Sequence, residues 1–197
     1  MGMDVYGLDP KQNDINPDEY KVYLEYSAME FEDKWKALDK DKELKSKYWE
    51  EEDLYQNANP GNYFRNNVWW WRPLWDYVCK HSEDILTEED MNGCTDNSGY
   101  RIDADKALRI GIRLHTHVLD GTAQEWKEGY DKEVAELPKE PCFRCNGDNR
   151  GNNKKKDCNS CDKTGERENW AASYPFDVEN VKAFAKFCVE SGGFEVC

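Results

Sequence analysis

The stretch Asn62–Tyr77 reads NYFRNNVWWWRPLWDY. It carries four of the chain's eight tryptophans, with Tyr63, Phe64, Tyr77 and the arginines Arg65 and Arg72 among them. Large aromatic side chains bury roughly 150–250 Å² each, so a run this dense needs a core to enter or a ligand to stack on. Read as a strand, it points Val68, Trp70 and Arg72 one way and Trp69 and Trp71 the other. Both faces are then apolar, which suits a central element. Pro73 sits where a helix can begin, with Leu74, Tyr77, Val78 and His81 following on one face.

Working outward, the 197 residues suit a single domain over 1–197. Only 38% are hydrophobic against 35% charged, so the aromatics must supply much of the core. Before the tryptophan run, Met3–Leu8 reads as a short strand. Asn16, Pro17 and Glu19 then form a helix start, and Tyr20, Leu24, Ser27, Phe31, Trp35 and Leu38 continue it as one apolar stripe. Asp39–Asp53 turns to lysines and carboxylates and reads as a solvated helical hairpin, with an acidic partner-binding surface as the alternative.

After the run, Thr87 with Asp90 caps a short helix, and Asn97–Arg101 is a turn. Asp103 caps a helix that Gly121 ends. Thr122 with Glu125 opens another, reaching Pro138. Asp177 caps a last helix carrying Val181, Phe184, Ala185 and Cys188 inward, and Gly192-Gly193 stops it. The final FEVC is strand-like, and pairing it with Met3–Leu8 would join the two termini. The expected fold class is α+β: a mainly helical single domain with a small sheet and a zinc-binding β-hairpin over 139–169.

Cys142-x2-Cys145 and Cys158-x2-Cys161 are the clearest chemical signal. Two residues between thiolates let both reach one ion, and two such knuckles complete a tetrahedron. Zinc is expected, with iron as the minor alternative. Four protein ligands leave no open position, so one structural Zn²⁺ is implied. The residues between the knuckles, NGDNRGNNKKKD, read as a polar hairpin tip with a phosphate-touching role as the alternative. Cys79 and Cys94 read as small buried hydrophobes; Cys188 and Cys197 are not diagnostically spaced.

The formal net charge of −14 argues against broad nucleic-acid binding and against anionic membranes. No apolar run approaches the roughly 20 residues of a membrane span, and no secretion signal is visible. Met1-Gly2 meets the first requirement for myristoylation, but Tyr6 stands where Ser or Thr is needed. Cysteines in metal spacing without a signal point to a reducing cytoplasm.

Against that charge, Arg65 and Arg72 among aromatics stand out. Tyr63, Trp69, Trp70, Trp71 and Trp75 offer rings, Asn66 and Asn67 amides, and the arginines guanidinium forks. Together these can hold a base, a ribose and a phosphate. Core packing is the competing explanation for the tryptophans. Catalytic motifs are absent: no Gly-rich phosphate loop, no nucleophile elbow. His115 and His117 lie two apart on a helix and face different sides, unlike a zinc-binding pair.

The cysteine segment resembles the zinc region of J-domain co-chaperones, whose repeat is Cys-x-x-Cys-x-Gly-x-Gly. The first copy keeps Gly147 but has Asn149, and the second keeps Gly165 but has Lys163. Two repeats imply one zinc in a small β-hairpin, and without a His-Pro-Asp signature no co-chaperone activity carries over. A wider resemblance rests on MGMDVYGL, YFRNNVWWWRPLW, NSGYRI, the knuckles and YPFDVENVKAFAKFCVESGGFEVC. These are similar to a group of proteins found in bacteriophages and bacteria, which implies a small phage-type accessory protein and no particular activity; residues 11–58, outside the similar stretches, look like an acidic helical insertion. The expected function is non-enzymatic binding of a small anionic, nucleotide-like ligand, such as a host immune signal to be sequestered. The alternatives are a zinc-stabilised module contacting a host or phage protein, and a nucleotide-processing enzyme using His115 or a carboxylate.

Overall fold

The computed structural model describes residues 2–13, 16–145 and 158–197. In chain order, β1 (Gly2–Gly7) leads to α1 (Lys21–Ser27), α2 (Phe31–Leu38) and α3 (Lys42–Ala58). Next come β2 (Tyr63–Asn67), α4 (Val68–His81), α5 (Glu88–Gly93), β3 (Tyr100–Ile102), α6 (Ala104–Asp120) and α7 (Thr122–Ala135). The two-residue strands β4 (Glu140–Pro141) and β5 (Glu166–Arg167), α8 (Val178–Glu190) and β6 (Phe194–Val196) complete it. The fold is mainly helical α+β with a small antiparallel sheet, as the sequence implies.

The sheet runs β2-β1-β6-β3, every pair antiparallel. Both termini lie at its centre: Val5 is opposite Val196, and Asp4 and Cys197 exchange backbone hydrogen bonds of 2.9 and 2.7 Å. Strand alternation sends Met3, Val5, Phe64, Ile102, Phe194 and Val196 inward. There they meet Trp71 and Trp75 of α4 and Phe184 and Phe187 of α8. Helices α6 and α8 pack closely because Gly111 has no Cβ; one would come within 2.9 Å of the Ala185 carbonyl.

Three local expectations are corrected. The strand predicted through the tryptophans ends at Asn67, whose side chain accepts from the N–H groups of Trp69 (3.0 Å) and Trp70 (3.2 Å) and caps α4. That cap satisfies orphan donors of the first turn and switches the period from 2 to 3.6. Pro73 therefore lies inside the helix, where the bond it forgoes is to the Trp69 carbonyl. The stripe from Tyr20 to Leu38 is not one helix: α1 stops at Ser27, and Glu30 is extended at ψ 142°. The break folds the stripe back onto α3: Tyr20 and Leu38 are buried, Tyr20 meets Tyr55 edge-on, and Trp35 meets Tyr48. Finally, Thr122 and Glu125 form no capping box. Gly121, at φ +89°, ends α6 and starts α7, and the Thr122 N–H bonds to Asp120 instead.

Strands β1 and β2 are adjacent although residues 8–62 separate them. The Gly7 N–H reaches the Asn62 carbonyl at 3.0 Å, so the intervening helices grow from what is locally a hairpin end. Asn13 ties their root down, bonding to Asn59, Ala58 and Glu190.

Candidate ligand cleft and metal centre

Because β2 alternates, Phe64 enters the core while Tyr63 and Arg65 point to the outer face of the sheet. On that face Tyr63 stacks on Tyr6 with centroids 5.1 Å apart, and its hydroxyl donates to Asp4. Burial raises the Tyr63 phenol, and the Asp4 carboxylate raises it further, so the ring stays neutral. Helices α1 to α3 stand over this face and leave a cleft of about 860 Å³ between themselves and the strands. Tyr23, Phe31, Trp35, Trp49 and Tyr55 wall it from the helical side, Tyr6, Tyr63 and Arg65 from the sheet.

Charge in the cleft is mixed. Glu52 and Asp53 of α3 line it with Gln56, one turn on. Burial pushes the Glu52 carboxyl above its ordinary range, with Lys34 the largest influence pulling it back. Lys34 itself rests over the rings of Trp35 and Tyr48, 5.2 and 5.5 Å from their centroids. The exposed Arg65 side chain forms no hydrogen bond or ion pair among the described residues, though it lies close enough to influence Glu52 and Tyr63.

The other residues singled out in the run are dispersed by the helix. Trp71 and Trp75 are buried in the core, and their indole N–H groups donate to the carbonyls of Cys94 (2.8 Å) and Met91 (2.9 Å). Asn67 is a helix cap. Asn66 donates to Asn180, which in turn donates to the Trp70 carbonyl. Trp69 lies against Trp170 and Tyr174, each with centroids 4.8 Å away. Arg72 donates to the Tyr174 hydroxyl at 2.7 Å, at the edge of a separate hollow of about 340 Å³. The structure thus brings Tyr63 and Arg65 to the large cleft and leaves the remaining seven elsewhere.

What the sequence reading missed is the far wall of that cleft. Residues 39–53 read as a solvated face, yet Trp49 belongs to the cleft and Tyr48 is buried, and Tyr55, just past that range, lines the cleft as well. Aromatic frequency, rather than charge, was the available signal: rings at positions 48, 49 and 55 mark the inner side of α3, whereas charge does not, since Glu52 and Asp53 line the cleft too. A second group also escaped notice. The Tyr77 hydroxyl and His117 Nδ1 are 2.9 Å apart, and the His81 ring lies 4.9 Å from that of His117. His117 thus turns inward while His115 stays exposed, as their spacing requires.

The cysteines converge. Cys142 and Cys145 leave β4, Cys158 and Cys161 precede β5, and the two-strand ladder holds the knuckles together through Cys142 N–H to Gly165 O at 2.9 Å. All four are buried, and their Sγ atoms lie within 4.8 Å of one another, so they could hold a metal ion. Cys142 and Cys158 sulfurs are 3.8 Å apart, Cys145 and Cys161 sulfurs 3.9 Å. Asp162 and Lys163 adopt left-handed φ of 46° and 65°, curling the second knuckle so that the Gly165 N–H points at Cys161 Sγ. Burial raises the Cys142 thiol, but N–H groups of Arg144 and Cys145 and the nearby sulfurs outweigh it and bring it down to about 6. The expected hairpin tip, 146–157, with Gly147 and Asn149, lies outside the described residues, as does Met1.

No helix is long and apolar enough to cross a membrane among the described residues. No protein-family model, curated protein or solved structure matches the chain.

Proposed function

We propose that this chain is a non-enzymatic binder of a small, ring-bearing anionic ligand of nucleotide type, and that the ligand enters the cleft between α1–α3 and the outer face of β1–β2. One observation carries the reading: an aromatic-walled cleft of about 860 Å³ with Arg65, the guanidinium free of an ion pair among the described residues, at its sheet side. Such a volume is of the size that encloses small ligands. Rings offer stacking to a planar group, and a guanidinium fork fits phosphate. The resemblance to bacteriophage proteins adds a setting, in which binding without turnover would sequester a host signal in the cytoplasm.

Calorimetry of the full chain against a nucleotide panel tests this. Binding should be seen for wild type, lost on Arg65→Ala and kept on Arg72→Ala, because Arg72 stands at a different hollow. No heat from any nucleotide, or equal binding by Arg65→Ala, would reject it.

We further infer that the four cysteines hold one structural zinc ion. A tetrahedron with Zn–S bonds of ~2.3 Å has edges of ~3.8 Å, close to the sulfur separations of 3.8 and 3.9 Å. Four thiolates leave no position for substrate, so the ion would stabilise the hairpin and take no part in chemistry. Metal analysis of purified protein checks it, and iron in place of zinc would correct the identity. A second function, docking on a host or phage protein, is favoured by Phe143, 63% exposed on the first knuckle beside Arg167. Pull-down with wild type and Phe143→Ala separates the two: a partner lost with the ring supports docking.

A further inference from the structure

The polar groups of the cleft are arranged with a direction. On α3, Trp49, Glu52, Asp53 and Gln56 follow at i, i+3, i+4 and i+7 and share one helical face. Beyond the tryptophan, that face offers acceptors. Ionised carboxylates only accept, and the Gln56 Oε1 is buried without a hydrogen-bond partner. The Gln56 amide nitrogen is occupied, donating to the Tyr23 hydroxyl at 3.4 Å. Glu52 is partly engaged by the Tyr48 hydroxyl, whereas Asp53 is exposed and makes no hydrogen bond or ion pair among the described residues. The sheet wall carries the cleft's guanidinium: Arg65, beside the Tyr6 and Tyr63 hydroxyls and Asn62, has donors and no acceptor. A ligand spanning the cleft therefore needs donors on its ring edge and an anion at its other end.

We infer, resting on the ligand-cleft reading above, that the cleft selects a guanine nucleoside monophosphate. Guanine presents adjacent N1–H and N2–H donors, a pair that a carboxylate meets with both oxygens. Adenine and cytosine present an amino group beside an unprotonated ring nitrogen, which would face a carboxylate oxygen lone pair to lone pair. Such a mismatch sets lone pairs against each other and forgoes one of the two charge-assisted hydrogen bonds that guanine makes to the carboxylate. Phosphate number follows from charge. One guanidinium matches one phosphate, Lys34 is already held over Trp35 and Tyr48, and Glu52 and Asp53 repel further phosphates in a chain of net charge −14.

Calorimetry of the full chain with GMP, IMP, AMP, CMP and GTP is the test. GMP should bind tightest, IMP about tenfold weaker for the missing amino group (~1.4 kcal/mol), AMP and CMP weaker again, and GTP weaker than GMP. Asp53→Asn, which keeps size and adds a donor, should reduce the GMP preference over AMP to within about threefold while circular dichroism stays unchanged. Equal affinity across the panel, a preference for AMP or CMP, or an unaltered preference in Asp53→Asn overturns guanine selection and leaves the cleft reading standing. GTP binding tighter than GMP overturns the monophosphate. Absence of binding by every nucleotide overturns the cleft reading together with this inference.

Discussion

Trp71 and Trp75 stack one helical turn apart in α4, with ring centroids 5.5 Å apart and planes 7° from parallel. Each indole N–H is tied to the segment at α5, Trp71 to the Cys94 carbonyl and Trp75 to the Met91 carbonyl. The pair is thus both apolar filling and the hydrogen-bonded link between two elements. Trp71→Phe should cost about 1–3 kcal/mol, because it leaves the Cys94 carbonyl buried without its donor. Trp71→Ala should cost about 3–5 kcal/mol as a cavity is added. Urea unfolding followed by circular dichroism reads both, as a lower midpoint at constant slope. A midpoint unmoved by Trp71→Phe would show that the indole hydrogen bond contributes nothing.

Chelation should act locally. Lys139 with Glu168 and Asn169 to the Pro138 carbonyl close the base of the hairpin, which adjoins the body through Trp170 against Trp69. The main core shares no residue with the cysteine cluster. Removing the metal, or introducing Cys158→Ser, should change the tryptophan emission through Trp170 and Trp69 while the helical far-ultraviolet signal is kept. Global unfolding on chelation would show that the hairpin supports the whole fold.

Acid should weaken the fold through His81 and His117. Burial lowers both imidazoles below their ordinary value. His117, Lys80 and Arg113 lower His81 further; for His117, Asp120 opposes the shift and Arg113 adds to it. The unfolded chain, with imidazoles near ~6.5, binds more protons than the folded one between the folded values and that point. Stability is therefore complete above about pH 6.5 and falls as pH drops through it toward the folded values. Urea midpoints from pH 8 to pH 5 on wild type and on His81→Phe measure it, since thiolate protonation is common to both. A parallel pair of curves would remove His81 from the account.

Gly61 joins the root of α3 to β2, where a Cβ would overlap the Glu190 carbonyl at the end of α8. That neighbour is backbone and cannot swing aside. Gly61→Ala should destabilise by about 1–3 kcal/mol or more, and it should also weaken ligand binding because it shifts the strand that carries Tyr63 and Arg65. Differential scanning calorimetry gives the first effect and titration the second. A variant as stable as wild type would mean that the contact opens without cost.

Replacing residues 12–58 by a short Gly-rich turn should leave the sheet and main core folded, since Gly7 and Asn62 already meet at 3.0 Å. The buried hydrophobic residues described in that segment, Tyr20, Leu38 and Tyr48, lie outside the main core. Nucleotide binding should be abolished, because the far wall of the cleft goes with the helices. Loss of cooperative unfolding in the shortened chain would show that the helices are needed for the body to fold.

Much was legible in the sequence for physical reasons that are local. Cysteine spacing placed four thiolates within reach of one ion. Alternation marked Met3–Leu8 and FEVC as strands, and Asp103, Thr87 and Gly121 marked helix ends, because caps and left-handed glycines satisfy nearby backbone groups. The tryptophan run misled because its composition is apolar all round, so periodicity could not separate strand from helix, and the deciding group was one cap at Asn67. Residues 20–38 misled because a continuous stripe at helical spacing says nothing of a break that lets both halves reach α3.

What the sequence by itself determined about this protein is its materials: an acidic composition, abundant aromatics for a core and a four-cysteine knuckle pair. Only the tertiary structure decided where Asn62–Tyr77 is spent. Its strand half, through Tyr63 and Arg65, lines an aromatic cleft with α3, while its helical half delivers Trp71 and Trp75 to the core. Side chains next to one another in the chain serve opposite faces of the fold, since β2 alternates by two residues and α4 turns by 3.6. Which face meets which partner depends on helices that lie far away in sequence.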